Sequence, residues 1–358
     1  MVAGIRNDNQ LKTLIIIMPI ILFILPIILP LPPSWVWVMI FANYYTVVAM
    51  SWNIVLGYGG QFSFAQHGLL AVGGYSSAFL VNILRIHPIG SIFLGGTVAA
   101  IIGLGIGAAS LRLRGIYFAL TTFGFSYIVY LFTQSEYKLT GGKAGLKTEY
   151  LLLKSPFFSL HEYYVASLLL MLFAMLVSYI FTRSRYGMFL KAIREDEEAA
   201  AVYGVNITKI KLFAFTYSSF LAGLMGGFYA HIIGYISPAM ADLSTMGTII
   251  VISVLGGLGT FLGPFIGAYL IWPFSELIRS YSAALSQIIF SVAVILALKF
   301  MPNGLVGFFG RIIGSQNSAI MRETFTIKDQ ILSRHQFHEP SCKFVELRRH
   351  HKPHHQLI

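Results

Sequence analysis

The sequence predicts an all-α polytopic membrane protein. Three observations carry that prediction. Of the 358 residues, 56% are hydrophobic; the mean hydropathy is +0.73; and apolar runs of roughly 20 residues recur along the chain, the length a bilayer's hydrocarbon thickness asks of a spanning helix. A globule cannot hide that much apolar surface. The short alternating segments of a membrane β-barrel are absent from the sequence.

In order, the runs cover about residues 14–31, 35–56, 64–84, 89–110, 116–134, 162–182, 211–236, 244–272 and 281–300. The first lacks a small-residue cleavage site and is followed at once by another, so a spanning helix is expected there rather than a cleaved leader. Arg6 and Lys12 precede it and predict a cytoplasmic N-terminus. Six crossings then return the chain to the cytoplasm at Arg183, and Arg112 and Arg114 also fall inside. The loop 135–161 falls outside. Its Lys138, Lys143, Lys147 and Lys154 run against the positive-inside tendency, and Glu136 and Glu149 weigh little under that rule.

The stretch 244–278 must either cross twice as short helices or enter and leave on one side, because the tail from Arg311 onward carries eight Lys or Arg and is placed inside. Gly256, Gly257, Gly259, Gly263 and Pro264 supply the break. Gly57, Gly59 and Gly60 supply a similar one earlier. Broken helices at membrane depth are tolerated where they face protein or a water-filled path. The two breaks share the pattern Leu-Gly-x-x-Gly-x-Phe, at Leu56–Phe62 and at Leu255–Phe261. Two readings are open: an internal repeat, as in many transporters, or coincidence in a glycine-rich chain. Glycines four apart (Gly103 and Gly107; Gly223 and Gly227; Gly259, Gly263 and Gly267) are expected to let helices pack closely.

Polar residues within the runs are few. Asn53, Gln61, Ser63, Gln66 and His67 gather around the first break, with Thr121 and Thr122 on the fifth run. Polar groups in hydrocarbon face the bundle interior or a cavity. The set is a candidate lining of a translocation path, set against plain helix-to-helix hydrogen bonding. His67 has no second His, Asp or Glu at ligand spacing, so no metal site is expected. Cys342 is the only cysteine, which excludes an internal disulfide or a thiolate cluster. The net charge of +11 lies at run ends and in the tail, a membrane-orienting pattern rather than a nucleic-acid footprint.

Nothing in the chain drives transport. The runs hold almost no carboxylates for a proton relay and no ring of charge for a filter. The nearest approach to a phosphate loop, Gly141-Gly142-Lys143-Ala144, lacks the spacing and the hydroxyl. A membrane enzyme is disfavoured for want of a catalytic set. Energy therefore comes from another subunit or from the gradient.

One charged interruption stands out. Ten Asp, Glu, Lys and Arg crowd between Arg183 and Lys211 in a chain only 11% charged. Tyr186, Phe189, Leu190 and Ile193 recur at helical spacing, with Arg185, Lys191 and Arg194 on the other faces. A second short helix is expected to start near Glu195 or Asp196, where acidic residues suit a helix N-terminus, and to stop at Gly204. Two readings are open: a rigid elbow presented to a partner, or an amphipathic connection on the membrane surface.

Glu198-Ala199-Ala200-x-x-x-Gly204 resembles the cytoplasmic coupling loop of ABC-importer permeases. The stretches Asn53–Ser63, Leu111–Thr122, Leu139–Gly142 with Gly145-Leu146, Val254–Thr260 with Gly263-Pro264, and Pro302–Gly307 resemble the branched-chain amino acid permeases of the LivM type, over about residues 35–310. Ile116 stands where an acidic residue is common in relatives. The tail has no counterpart in the family; its six histidines allow a metal-binding reading beside that of a basic tail near acidic lipid.

The resemblance implies an ABC-importer permease bundle of about 8–10 transmembrane helices over 1–311, with a coupling loop at 183–210 and a basic tail at 312–358. Arg194, Glu195, Asp196, Glu197, Glu198, Ala199, Ala200 and Gly204 would meet the ATPase. It also implies a second homologous permease, two cytoplasmic ATP-binding subunits that hold the ATP, an extracytoplasmic binding protein, a bacterial inner-membrane location and transport of leucine, isoleucine or valine by alternating access. Urea or a short amide is the alternative cargo, and a stand-alone channel the alternative class.

Overall fold

A computed structural model of the protein describes residues 32–113, 115–152 and 159–281. The runs 14–31 and 281–300 and the tail 312–358 lie outside the described residues, apart from Tyr281 itself. Helix α1 (Pro33–Asn53) starts on proline, whose missing N–H costs nothing in a first turn, and ends in a π-helical turn at Ile54–Tyr58. The chain then runs without regular structure to α2 (Gln66–Leu84). Next come α3 (Pro88–Ser110) and α4 (Ile116–Ser135). A short α5 (Tyr137–Thr140), a 3₁₀ turn and the two-residue strand β1 (Leu146–Lys147) lead to α6 (Leu160–Arg183). The elbow follows as α7 (Arg185–Glu195) and α8 (Glu197–Val202). Then come α9 (Ile207–Ile233), β2 (Tyr235–Ile236), α10 (Leu243–Gly256) and α11 (Gly263–Tyr281).

Among the described residues, six helices are long and apolar enough to cross a membrane: α1 with its π turn, α2, α3, α4, α6 and α9. The protein is thus a polytopic all-α membrane protein. The stretch 244–278, where a glycine break is expected from the sequence, holds two helices, α10 and α11, packed against each other. Their break spans residues 257–262, where Gly257 and Gly259 take positive φ.

Helix α1 forms the centre. In its most apolar window, 83% of residues are buried, against 28% in α4. Helices α6, α9, α10 and α11 pack around α1, and α2 and α3 embrace α9. Glycine makes that embrace possible. A Cβ on Gly226 would lie 1.9 Å from the Leu70 carbonyl oxygen, and one on Gly73 would lie 2.2 Å from that of Gly223. Gly103 likewise faces the Ser219 hydroxyl, so backbones meet where side chains would hold them apart.

The bundle has two distinct ends. At one, the α7–α8 elbow meets both glycine breaks. At the other, β1 pairs antiparallel with β2. There His231 holds the loop, with Nε2 2.9 Å from the Ser77 hydroxyl and Nδ1 2.7 Å from the Glu149 carbonyl. The lysines of that loop, Lys138, Lys143 and Lys147, are exposed on this far end.

Candidate functional site

The elbow is built from both of its faces. Asp196 caps α8, its Oδ1 accepting from the amides of Glu198 at 2.9 Å and Ala199 at 3.0 Å. Gly204 ends the turn in the left-handed region. On the underside Leu190, Ile193 and Ala200 are buried. Tyr186 and Phe189, expected on the same apolar face, are instead exposed, at 49% and 41%. Glu197 points back to the bundle and pairs with the buried Lys211 of α9 at 2.8 Å. Lys191 lies 5.2 Å over the Tyr58 ring. Burial, and then the nearby Arg183 charge, lower its pKa.

The other face looks outward. Glu195, Asp196, Glu198, Ala199 and Gly204 are exposed. Val202 and Tyr203 are 85% and 87% exposed, more than any other large apolar residues among those described. Neither is singled out in the sequence, although both lie inside the stretch from Glu195 to Gly204 expected to meet the ATPase. The signal was an apolar pair directly before a glycine stop.

Arg194 behaves differently from its neighbours. Its guanidinium donates to the Gly57 carbonyl. A Cβ on Gly259 would come within 2.5 Å of its Nη1, and one on Gly60 within 3.2 Å of its Cγ. The arginine therefore lies in a slot walled by bare backbone from both glycine breaks. Gly60 and Gly259 occupy equivalent places in the repeated pattern and share nearly the same backbone, with φ of +68° and +72°. The two copies of the pattern thus meet around one side chain.

Asn53 closes the same junction from inside. Its Oδ1 accepts from the Gly259 amide at 2.8 Å, and its Nδ2 donates to the Thr260 carbonyl at 2.8 Å. Gly57 must be glycine for this, since a Cβ there would sit 2.0 Å from that Oδ1. Gly256 and Gly263 pack backbone to backbone, and Pro264 opens α11 behind them. Gly59 backs onto Leu190.

The other polar candidates do not converge on one point. The Ser63 hydroxyl accepts from the Ala65 amide at 3.1 Å just before α2, and its carbonyl accepts from the Trp52 indole at 2.8 Å. Thr122 accepts from the Phe64 amide at 3.0 Å. Gln66 donates to Ser218 at 3.3 Å. The Gln66 Oε1 and His67 Nδ1 are buried without a hydrogen-bond partner among the described residues. Thr121 is exposed on the outer side of α4 and bonds only back to Tyr117. Gln61 is half-buried and lines a cavity of about 550 Å³ at the elbow end, with Phe62, Phe118, Arg194, Glu197 and Lys211. No group of three metal-ligating side chains exists among the described residues.

Residues 35–298 match the family described as the permease component of the branched-chain amino acid transport system. Among curated proteins, the chain is similar to the high-affinity branched-chain amino acid transport system permease protein LivM of Salmonella typhimurium. They are 29% identical over 73% of this chain and 67% of that protein. LivM of Escherichia coli matches at 29% over the same shares. The permease protein LivH of Salmonella typhimurium matches at 25% over 74% of this chain and 91% of its own length. No solved structure matches.

Proposed function

This chain belongs to the permease-component family of branched-chain amino acid transport systems, and on that footing we propose that it is the membrane subunit of an ATP-driven importer that carries branched-chain amino acids inward by alternating access. It is a transport subunit of a non-enzymatic family, multi-pass in the membrane. The reading places it in the bacterial inner membrane beside a second, homologous permease. Two cytoplasmic ATPases bind and hydrolyse the ATP, and an extracytoplasmic binding protein delivers the cargo.

One observation supports the reading above all. The elbow is anchored underneath by Leu190, Ile193, Ala200 and the Glu197–Lys211 pair. It still leaves Glu195, Asp196, Glu198, Val202 and Tyr203 unoccupied at its tip. A rigid, exposed, mixed acidic and apolar knob suits the pocket of a partner. Cargo follows from the family and from a bundle whose interior offers apolar surface and neutral polar groups. A zwitterion with an apolar side chain needs no more.

The test is uptake into proteoliposomes that hold the permease pair, the ATPases and the binding protein, with labelled leucine and labelled urea compared. ATP-dependent leucine uptake is expected. Uptake of urea alone would reassign the cargo; leucine flux without ATP would make the chain a facilitator.

A further inference from the structure

The position of Arg194 goes beyond a docking role. Arg194 is exposed like its neighbours Glu195, Asp196 and Glu198, but its guanidinium alone among the four donates back to the bundle, to the Gly57 carbonyl. There it touches both helix breaks at once: the Gly57 carbonyl on one, and the Gly259 backbone on the other. Its stem lies across Gly60. Two glycines without Cβ atoms, Gly60 and Gly259, are what permit so close an approach, and both are held at positive φ where glycine is strongly favoured. Asn53 ties the same two breaks together a few ångströms deeper.

We infer that Arg194 is the positioning residue of transport: a pin that makes the elbow and the two helix breaks move as one body. The inference rests on the reading of the elbow as an ATPase socket. Leu190, Ile193 and Ala200 hold the elbow to the bundle from its underside, with Lys191 over the Tyr58 ring. Arg194 is the side chain of the elbow that engages both breaks. Movement imposed on the elbow would reach the α1–α2 connection and the α10–α11 connection together. Both helix pairs would then shift in the same step rather than one after the other. The charge-assisted bond to a bare carbonyl gives the pin directional strength.

The test separates transmission from docking. Arg194→Ala and Arg194→Lys are reconstituted with the ATPases and the binding protein. Uptake, ATP hydrolysis and ATPase co-purification are measured together. The expected result is intact co-purification and hydrolysis, with uptake per ATP lowered on the order of tenfold in Arg194→Ala, the size of losing one charged hydrogen bond. Arg194→Lys, which keeps the charge and one donor, recovers part of it. Loss of co-purification together with hydrolysis would make Arg194 a docking residue and overturn the pin. An unchanged ratio of uptake to hydrolysis would do the same.

A second arm guards against a variant that merely misfolds. A Cβ on Gly60 would lie 3.6 Å from the Arg194 Cβ, within disulfide range. The pair Gly60→Cys with Arg194→Cys, in a background with Cys342→Ser, is assayed reduced and oxidised. Measured against Gly60→Cys alone, which carries the strain of a side chain at positive φ, the reduced double variant is expected to be uncoupled and the oxidised form to regain part of its uptake per ATP, because the covalent link restores the tie to the first break and Asn53 carries it to the second. An oxidised form that cross-links fully yet stays uncoupled sinks the inference. If the wild-type protein shows no ATP-dependent uptake at all, the importer reading fails instead.

Discussion

The carboxamide of Asn53 grips the Gly259–Thr260 segment by two hydrogen bonds of 2.8 Å, accepting from the Gly259 amide and donating to the Thr260 carbonyl. Residues 206 and 207 positions apart in sequence are thereby locked across the bundle. Asn53→Ala leaves a donor and an acceptor unpaired in a partly buried junction and is expected to cost about 1–3 kcal/mol. Thermal unfolding of the purified protein should show a lower midpoint, with Asn53→Asp, which keeps only the acceptor, falling between. An unchanged midpoint for the alanine variant would mean that other groups take over both bonds.

The glycines divide into those that touch and those that do not. Gly226→Ala drives a methyl to 1.9 Å from the Leu70 carbonyl oxygen and should destabilise by about 1–3 kcal/mol or more, as overpacking does. Gly124 has nothing within 4 Å of a would-be Cβ. Gly124→Ala should be neutral, or stabilising by up to about 1 kcal/mol through helix propensity. Equal midpoints for the two variants would refute the backbone contact between α2 and α9.

Val202 and Tyr203 stand exposed at the tip of the elbow. Val202→Ser with Tyr203→Ser should weaken ATPase co-purification by about tenfold while leaving the melting midpoint alone, since neither side chain is packed. A drop in midpoint with binding intact would assign the pair to folding.

Asp242 caps α10. The hydrogen bond from the Ser244 hydroxyl, 2.6 Å away, is the main cause holding its carboxyl below the usual range, with smaller help from the Ser244 and Leu243 amides and from His67, and with partial burial opposing. A carboxyl with a depressed folded value contributes stability above its unfolded pKa and loses it as pH falls through the folded one. Asp242→Asn should therefore flatten the acid limb of a stability-against-pH curve without changing its neutral plateau by much, because asparagine also caps helices. A variant curve parallel to wild type throughout would assign that acid limb to other groups.

Much of this architecture is legible in the residues themselves. Spanning helices are read from run length because hydrocarbon sets that length. The elbow could be read from its charge, and its second helix from Asp196 and Gly204, because caps are local chemistry. Long-range partnership is what one-dimensional reading misses. Asn53 looks like a path-lining group until Gly259 and Thr260 arrive beside it, and Arg194 looks like a surface charge until two glycines expose backbone to it. The similarity of the Leu56–Phe62 and Leu255–Phe261 patterns was visible from the start, but not that their equivalent glycines flank one arginine. The break inside 244–278 was legible for a local reason: clustered glycines and a proline end a helix even where hydropathy stays high.

Helix α1 also sets a problem of timing. Its buried Asn43 meets Ser167 and Tyr269, 124 and 226 residues further along the chain. The Ser51 carbonyl waits for Ser218 and Asn53 for Thr260, at separations of 167 and 207. A growing chain therefore hands the membrane its most central helix long before the groups that satisfy it have been synthesised. Until then those amides face lipid or each other, at a cost. The core of this protein is the segment made early but completed last, and a ribosome stalled before residue 260 would leave it open to the quality-control proteases of the membrane.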